Sequence, residues 1–294
     1  MRRAGNVVSD EEIATFAARI RKDALALLHF AESGHPGGVL SCADVVAVLW
    51  LTQLGYQSPE WSDPERNRLV LSKGHSVAVL YAAAGRSGLL PPHLSTTLRA
   101  IDSPLQGHSH VIDTPWVETS TGSLGQGFSA AVGMALGLLH QKIDAQVFVI
   151  LGDGELQEGQ VWEAAMCSAH YQLGNLCAIV DHNGLQSDDR NENIMGIEPL
   201  ADKWRSFGWD VHEVDGHDIA ELRSAITAAE MVVERPSVLI ARTVKGKGVS
   251  FMEDVPEWHG SVAIKDEELR SALRELGASD DDVEAYLSGD FWHE

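Results

Sequence analysis

Three short stretches, 147–151, 176–180 and 238–241, are apolar without interruption and rich in β-branched residues. A strand with one wet face alternates apolar and polar residues, so a run with no polar member is covered on both faces, as in a parallel sheet. Helical periodicity fills the intervals, over 159–173, 199–207 and 218–234. "DVHEV" from Asp210 and "RLVLS" near residue 68 supply two more strands. Strand and helix in alternation predict an α/β fold: a doubly wound, mostly parallel sheet flanked by helices. Ligands of such sheets collect at the carboxyl ends of the strands.

Upstream the pattern is mainly helical. Ser9 and Glu12 fit a capping box opening a helix that runs to about residue 31. "SGHPGG" breaks it, and a second helix is expected from Ser41, with Asp44 three residues on. Further helices are expected over 75–85, 91–101 and 124–141. The acidic stretch 264–294 reads as a helical appendage to a domain spanning 1–263. No run of 18 apolar residues suggests a membrane span, and the start, "MRRAGNVVSDEEIA", has no apolar core of a secretory signal. Cys42, Cys167 and Cys177 lack metal or redox spacing and read as reduced thiols of a cytoplasmic protein. The formal net charge of −21 disfavours nucleic acid and anionic membranes as partners. A phosphate compound would need positive potential concentrated locally, from a divalent cation, helix N-termini or a few basic and histidine side chains.

The carboxyl ends of the first two runs carry the chemistry. Gly152-Asp153-Gly154 follows one and Asn183-Gly184 the next, with residues 155–182 between them, 28 in all. That interval accommodates one loop, helix and strand, so Asp153 and Asn183 can meet at one sheet edge. A carboxylate, an amide oxygen and a free backbone carbonyl are hard ligands suited to Mg²⁺ or Ca²⁺, cations that also take phosphate oxygens. Glycine on each side of Asp153 allows a sharp turn and close approach to a diphosphate. A helix beginning near Glu158 would aim its N-terminal dipole at the same place.

With these two pieces the chain resembles thiamine-diphosphate enzymes. The segments "SGHPGG", "LSKGHSVAVLYA", "TGSLGQGFSAAVGMALG", "GDGELQEGQVWEA", "DHNGLQSD", "TVKGKGVSFMED" and "WHG" are similar, in order, to those of transketolases. The resemblance implies the thiamine-diphosphate-binding fold, in its diphosphate-binding domain. It implies that Asp153, Asn183 and the Leu185 carbonyl hold Mg²⁺ or Ca²⁺. The Gly152, Gly154 and Glu155 turn, with His75 and His259, would meet the diphosphate or the substrate. Gly122 and Leu124 would touch the aminopyrimidine ring through the main chain. His35 and His108 would bind hydroxyls of the ketose donor, and Glu158 would join an acid network between two active sites. His110, His140, His170 and His182 stand outside this pattern. Ser187 and Asp189 depart from it, because the family usually has an apolar residue and a glycine there.

The same resemblance implies a division of labour. The glutamate that activates the cofactor, and the arginines that bind a sugar phosphate, belong in this family to a pyrimidine-binding domain that this sequence lacks. The chain is thus expected to be the N-terminal subunit of a split transketolase. It would be active only with a C-terminal subunit carrying that domain, in an α₂β₂ assembly. The expected reaction moves a two-carbon ketol unit from a ketose or ketose phosphate to an aldose. The alternatives are a subunit of a 2-oxo acid dehydrogenase or deoxyxylulose-phosphate synthase, or a non-catalytic binding subunit.

Overall fold

The computed structural model describes residues 8–55 and 62–292. Helix α1 (Asp10–Phe30) opens on the expected capping box: the Glu12 amide donates to Ser9 Oγ at 3.2 Å and the Ser9 amide to the Glu12 carboxylate at 2.7 Å. Such a cap stabilises a helix by about 1 kcal/mol. "SGHPGG" ends one helix and begins another. Helix α2 (Pro36–Ser41) takes Pro36 in its first turn, where a missing N–H leaves no bond unmade. The helix expected from Ser41 therefore starts earlier, and Ser41 does not cap it. Its hydroxyl donates instead to Asp181 Oδ2 at 2.6 Å, while Asp44 is paired with Arg21 and His217. Helix α3 (Ala43–Leu49) runs into one π-helical turn, Trp50–Leu54.

Strand β1 (Arg68–Leu71) and helix α4 (Ala78–Arg86) follow. Over 91–101 the chain forms only a 3₁₀ turn, Pro92–Leu94, in place of the expected helix. Hydroxyls there take other partners: Ser95 Oγ donates to Gly289 O at 2.7 Å, and Thr97 Oγ1 to Leu94 O at 3.0 Å. Side-chain bonds of this kind compete with the helical ladder. Helix α5 (Gln126–Gln141), strand β2 (Val147–Gly152), helix α6 (Gly159–His170) and strand β3 (Leu176–His182) come next. A hairpin of β4 (Leu185–Gln186) and β5 (Asp189–Arg190) leads to α7 (Asn191–Ile194) and α8 (Leu200–Ser206). Strand β6 (Asp210–Asp215), helix α9 (Ile219–Glu230) and strand β7 (Ser237–Arg242) complete the sheet, before α10 (Asp266–Glu275) and α11 (Asp280–Ser288).

The strands lie in the order β1-β2-β3-β7-β6, every neighbouring pair parallel. Alternate strand residues enter two cores. Phe148, Ile150, Ile179 and Leu239 pack with residues of α1, α3, α4 and α9. Val147, Val149, Leu151, Val180 and Ile240 pack with residues of α5, α6 and α8. Both faces are thus covered, which is why the strand sequences carry no polar alternation. Leu269, Leu273, Val283, Tyr286 and Trp292 of the C-terminal segment join the first core. Arg86 of α4 and the Tyr286 hydroxyl both donate to Asp23 of α1, tying α11 to that layer. Among the described residues no helix is long and apolar enough to cross a membrane. All three cysteines are free, and burial pushes the Cys42 thiol up to about 11.

Candidate active site

Strand register builds the site. Gly152 is paired with Asp181, and Asp181 with Ala241, so the chain leaves β2, β3 and β7 at one level. A cavity of about 210 Å³ opens there. Its lining includes His35, His75, Gly122, Leu124, Gly152, Asp153, Gly154, Glu155, Asn183, Leu185 and His259, all expected from sequence. His108 and Glu158 stand apart. A β-carbon at Gly122 would lie 3.0 Å from His108 Cδ2, which places that histidine just behind the wall. Gly122 has φ +145°, a backbone conformation that favours glycine. Glu158 is exposed, beside Gly125 at the start of α5.

The oxygen ligands are oriented by the loops that carry them. Asp153 accepts from the Gly154 amide at 2.8 Å and the Gly184 amide at 2.6 Å. Asn183 donates its Nδ2 to Asp181 O at 3.3 Å and to Asp181 Oδ2 at 3.2 Å, and its Oδ1 accepts from the Leu185 amide at 3.1 Å. Leu185 O accepts from Lys245 Nζ at 2.8 Å. A carbonyl has a second lone pair, so that bond leaves it able to meet a cation. Behind Asp153 the chain makes a 3₁₀ turn, Gly154–Gln157, and α6 begins only at Gly159. The helix thus starts where the sequence placed it, with Glu158 at its N-cap, while the amides that reach the carboxylate come from Gly154 of this turn and from Gly184 beyond β3. Glu155 points into the protein, accepting from the amides of Gly125 at 2.8 Å and Gly152 at 3.0 Å and from Ser72 Oγ. It joins the loop before α5 to the end of β2.

Beside these oxygens stands a wall of nitrogen-bearing side chains. The rings of His35, His75 and His259 form a triangle with centroids 4.9, 5.7 and 5.8 Å apart. Burial and the neighbouring cationic groups push His35 down to about 4, His259 to about 3 and His75 well below its ordinary value. The three rings are therefore neutral at pH 7, and each can donate or accept a hydrogen bond. Two lysines complete the wall. Lys245 Nζ lies 2.6 Å from His259 Nδ1, and burial brings its ammonium down to about 8. Lys73 is buried, donating to Gly38 O at 2.8 Å and to Asp181. Burial works against its charge, but the Asp181 carboxylate, with smaller contributions from Cys42 and Asp153, outweighs it and holds the ammonium above its usual value. "LSKGH" and "TVKGKG" carry these lysines, and sequence reasoning gave neither a role. The available signal was a lysine directly after an apolar strand, at the sheet edge where ligands gather. Gly38 and Gln186 also line the cavity unforeseen, as does Ser187, which the sequence marked as a departure from the family. Ser187, with φ +31°, also lines a cavity of about 380 Å³ alongside, together with Asp188 and Glu257.

This donor set fits a metal-bound diphosphate. The buried Asp153 carboxyl is raised by burial and by the Asp181 charge, so a cation beside it would relieve both effects. His35 Nδ1 is buried without a hydrogen-bond partner, a polar atom left over for a ligand. Among the described residues no three His, Cys, Asp or Glu side chains are grouped as metal ligands. The oxygens that do converge, from a carboxylate, an amide and a carbonyl, are donors suited to a hard ion.

Residues 13–286 match the family described as transketolase, thiamine diphosphate binding domain. The chain is 43% identical, over 245 residues, to the 6-deoxy-6-sulfo-D-fructose transketolase subunit of Clostridium sp. (strain MSTE9), covering 83% of this chain and 88% of that one. It is 36% identical, over 269 residues, to one subunit of the apulose-4-phosphate transketolase of Phocaeicola vulgatus, covering 92% and 95%. Among solved structures, transketolase from Leishmania mexicana superposes with a TM-score of 0.84 at 30% identity. That match covers 95% of this chain but spans only 44% of the Leishmania chain.

Proposed function

The chain belongs to the transketolase family, and from that premise we propose that it is the diphosphate-binding half of a transketolase built from two kinds of polypeptide. The observation that carries this reading is the convergence of Asp153, Asn183 and the Leu185 carbonyl with three neutral imidazoles and two buried lysines in one cavity. In this reading Asp153 Oδ, Asn183 Oδ1 and Leu185 O hold Mg²⁺ or Ca²⁺. Gly154, His75, His259 and Lys245 face the diphosphate, although the Gly154 amide itself is engaged by Asp153 Oδ1 at 2.8 Å, and Gly122 and Leu124 offer main-chain atoms to the aminopyrimidine. Thiamine diphosphate supplies the carbanion chemistry that breaks and makes a carbon–carbon bond beside a carbonyl. His35 and His108 orient the hydroxyls of a ketose donor, and the neutral His35 ring can accept a hydrogen bond from a hydroxyl as well as donate one. In this reading Glu158, exposed at the start of α6, meets a second polypeptide.

A two-polypeptide enzyme is supported by the relatives that this chain covers almost end to end, because both are named as subunits. The partner proposed here carries the pyrimidine-binding domain, and α₂β₂ is the simplest closed assembly of two such pairs. The substrates are a ketose or ketose phosphate and an aldose. The test is to purify this chain and a transketolase subunit bearing the pyrimidine-binding domain, then assay each alone and both together for ketol transfer. Activity only in the mixture is expected; full activity from this chain by itself would overturn the two-polypeptide reading.

A further inference from the structure

We infer that Asp181 is a positioning residue for the metal site: its carboxylate fixes the side-chain amide of Asn183 so that the oxygen, and not the NH₂, is left for a cation. The inference rests on the assignment of Asp153 and Asn183 as metal ligands. Asp181 is fully buried at the end of β3. Four side chains donate to its carboxylate: Lys73 Nζ, Thr243 Oγ1, Ser41 Oγ at 2.6 Å and Asn183 Nδ2 at 3.2 Å. An ionised carboxylate only accepts hydrogen bonds, so the end of the Asn183 amide beside it must be the NH₂. The Asp181 carbonyl repeats the instruction, accepting from Asn183 Nδ2 at 3.3 Å.

The same carbonyl accepts the Asp153 amide at 3.3 Å, so both proposed ligands are fastened to one residue. An asparagine amide is nearly symmetric in shape, and turned over it would aim two N–H donors at the cation. Lys73 makes the arrangement tenable. It supplies the counter-charge without which a second carboxylate beside Asp153 would be hard to keep ionised in a buried place. The role of Lys73 is thus exerted on Asp181, and through it on Asn183.

The test exploits the fact that aspartate, unlike asparagine, presents oxygen whichever way it turns. Mn²⁺ retained by the full chain is measured by equilibrium dialysis in the presence of thiamine diphosphate, with melting temperature recorded for each variant. Asp181→Asn should weaken Mn²⁺ retention about tenfold or more, the scale on which outer partners of metal ligands act. Asn183→Asp in the otherwise natural chain should also weaken it, because two carboxylates would then face each other across a 3.2 Å contact. Combined with Asp181→Asn, the same Asn183→Asp change should restore most of the loss. That reversal of sign is the signature of orientation, which a merely structural Asp181 would not give. If Asp181→Asn does not fold, Lys73→Met with Asp181→Asn removes the stranded lysine and serves as the second background. Wild-type retention in Asp181→Asn, or equal harm from Asn183→Asp in both backgrounds, would overturn the role of Asp181 alone. No Mn²⁺ retained by the natural chain would overturn the ligand assignment and this inference with it.

Discussion

Two buried aspartates, Asp23 and Asp181, solve the same electrostatic problem to different ends. Each is fully buried and each answers a cation, Arg86 for Asp23 and Lys73 for Asp181. The partners of Asp23 come from α4 and α11, and the network stops there. The partners of Asp181 include Asn183, which lines the cavity. Burial pushes both carboxyls up. At Asp23 it prevails over Arg86 and Tyr286, whereas at Asp181 the Lys73 charge and the hydrogen bonds from Lys73, Ser41 and Thr243 together outweigh it and the group is held below its ordinary value. One pair fastens an acidic C-terminal helix to the core; the other keeps a carboxylate ionised where a ligand must be oriented.

The largest effect should come from unbalancing the structural pair. Arg86→Met leaves Asp23 buried without its cation and should destabilise the chain by about 3 kcal/mol, the lower end for such a break because the guanidinium keeps some exposure. Denaturant melts measure this loss, and affinity for thiamine diphosphate should be unchanged. A matching loss of cofactor affinity would mean that the two regions are not independent. Next in size, His35→Ala and His108→Ala should lower turnover of the assembled enzyme about tenfold to a hundredfold while cofactor affinity falls far less. Steady-state kinetics beside calorimetry separate the two quantities, and wild-type turnover would make the histidine idle. Tyr286→Phe removes one hydrogen bond to Asp23 and should lower stability by about 1–2 kcal/mol, again without touching the cavity.

The smallest effect is on pH dependence, and its sign differs between the two aspartates. Asp181 titrates below its ordinary value of 3.8, so the stability it contributes is present above that value and lost as pH falls. Asp23 titrates above 3.8, so its contribution is complete below that value and lost as pH rises through the raised one. Urea melts between about pH 3 and pH 6 should therefore show a flatter acid limb in Asp181→Asn and a steeper one in Asp23→Asn. The same change of slope in both variants would erase the distinction.

What could be read from the sequence follows from how local each signal is. The central strands were legible because a sheet covered on both faces admits no polar residue over 147–151 or 176–180. The first helix was legible from Ser9 and Glu12, three residues apart. The expected helix over 91–101 failed because its apolar spacing says nothing of Ser95 reaching Gly289, a partner 194 residues away. The site divides the same way. Asp153 and Asn183 sit in short motifs one crossover apart, and strand register brings them together. Lys73 and Asp181 are separated by 108 residues, and only the placing of β1 beside β2 and β2 beside β3 makes them neighbours. No local pattern announces such a pair.

Every role proposed for the cavity turns on whether Asp153 and Asn183 hold a metal-bound diphosphate. Calorimetric titration of thiamine diphosphate into the chain, with Mg²⁺ and then with a chelator, tests this for the natural protein, Asp153→Ala and Asn183→Ala. Both residues lie on loops beyond strand ends, so the variants should melt near the wild-type temperature. The prediction is Mg²⁺-dependent binding in the natural chain that is lost in both folded variants. Equal affinity in all three, or binding indifferent to the chelator, would contradict it.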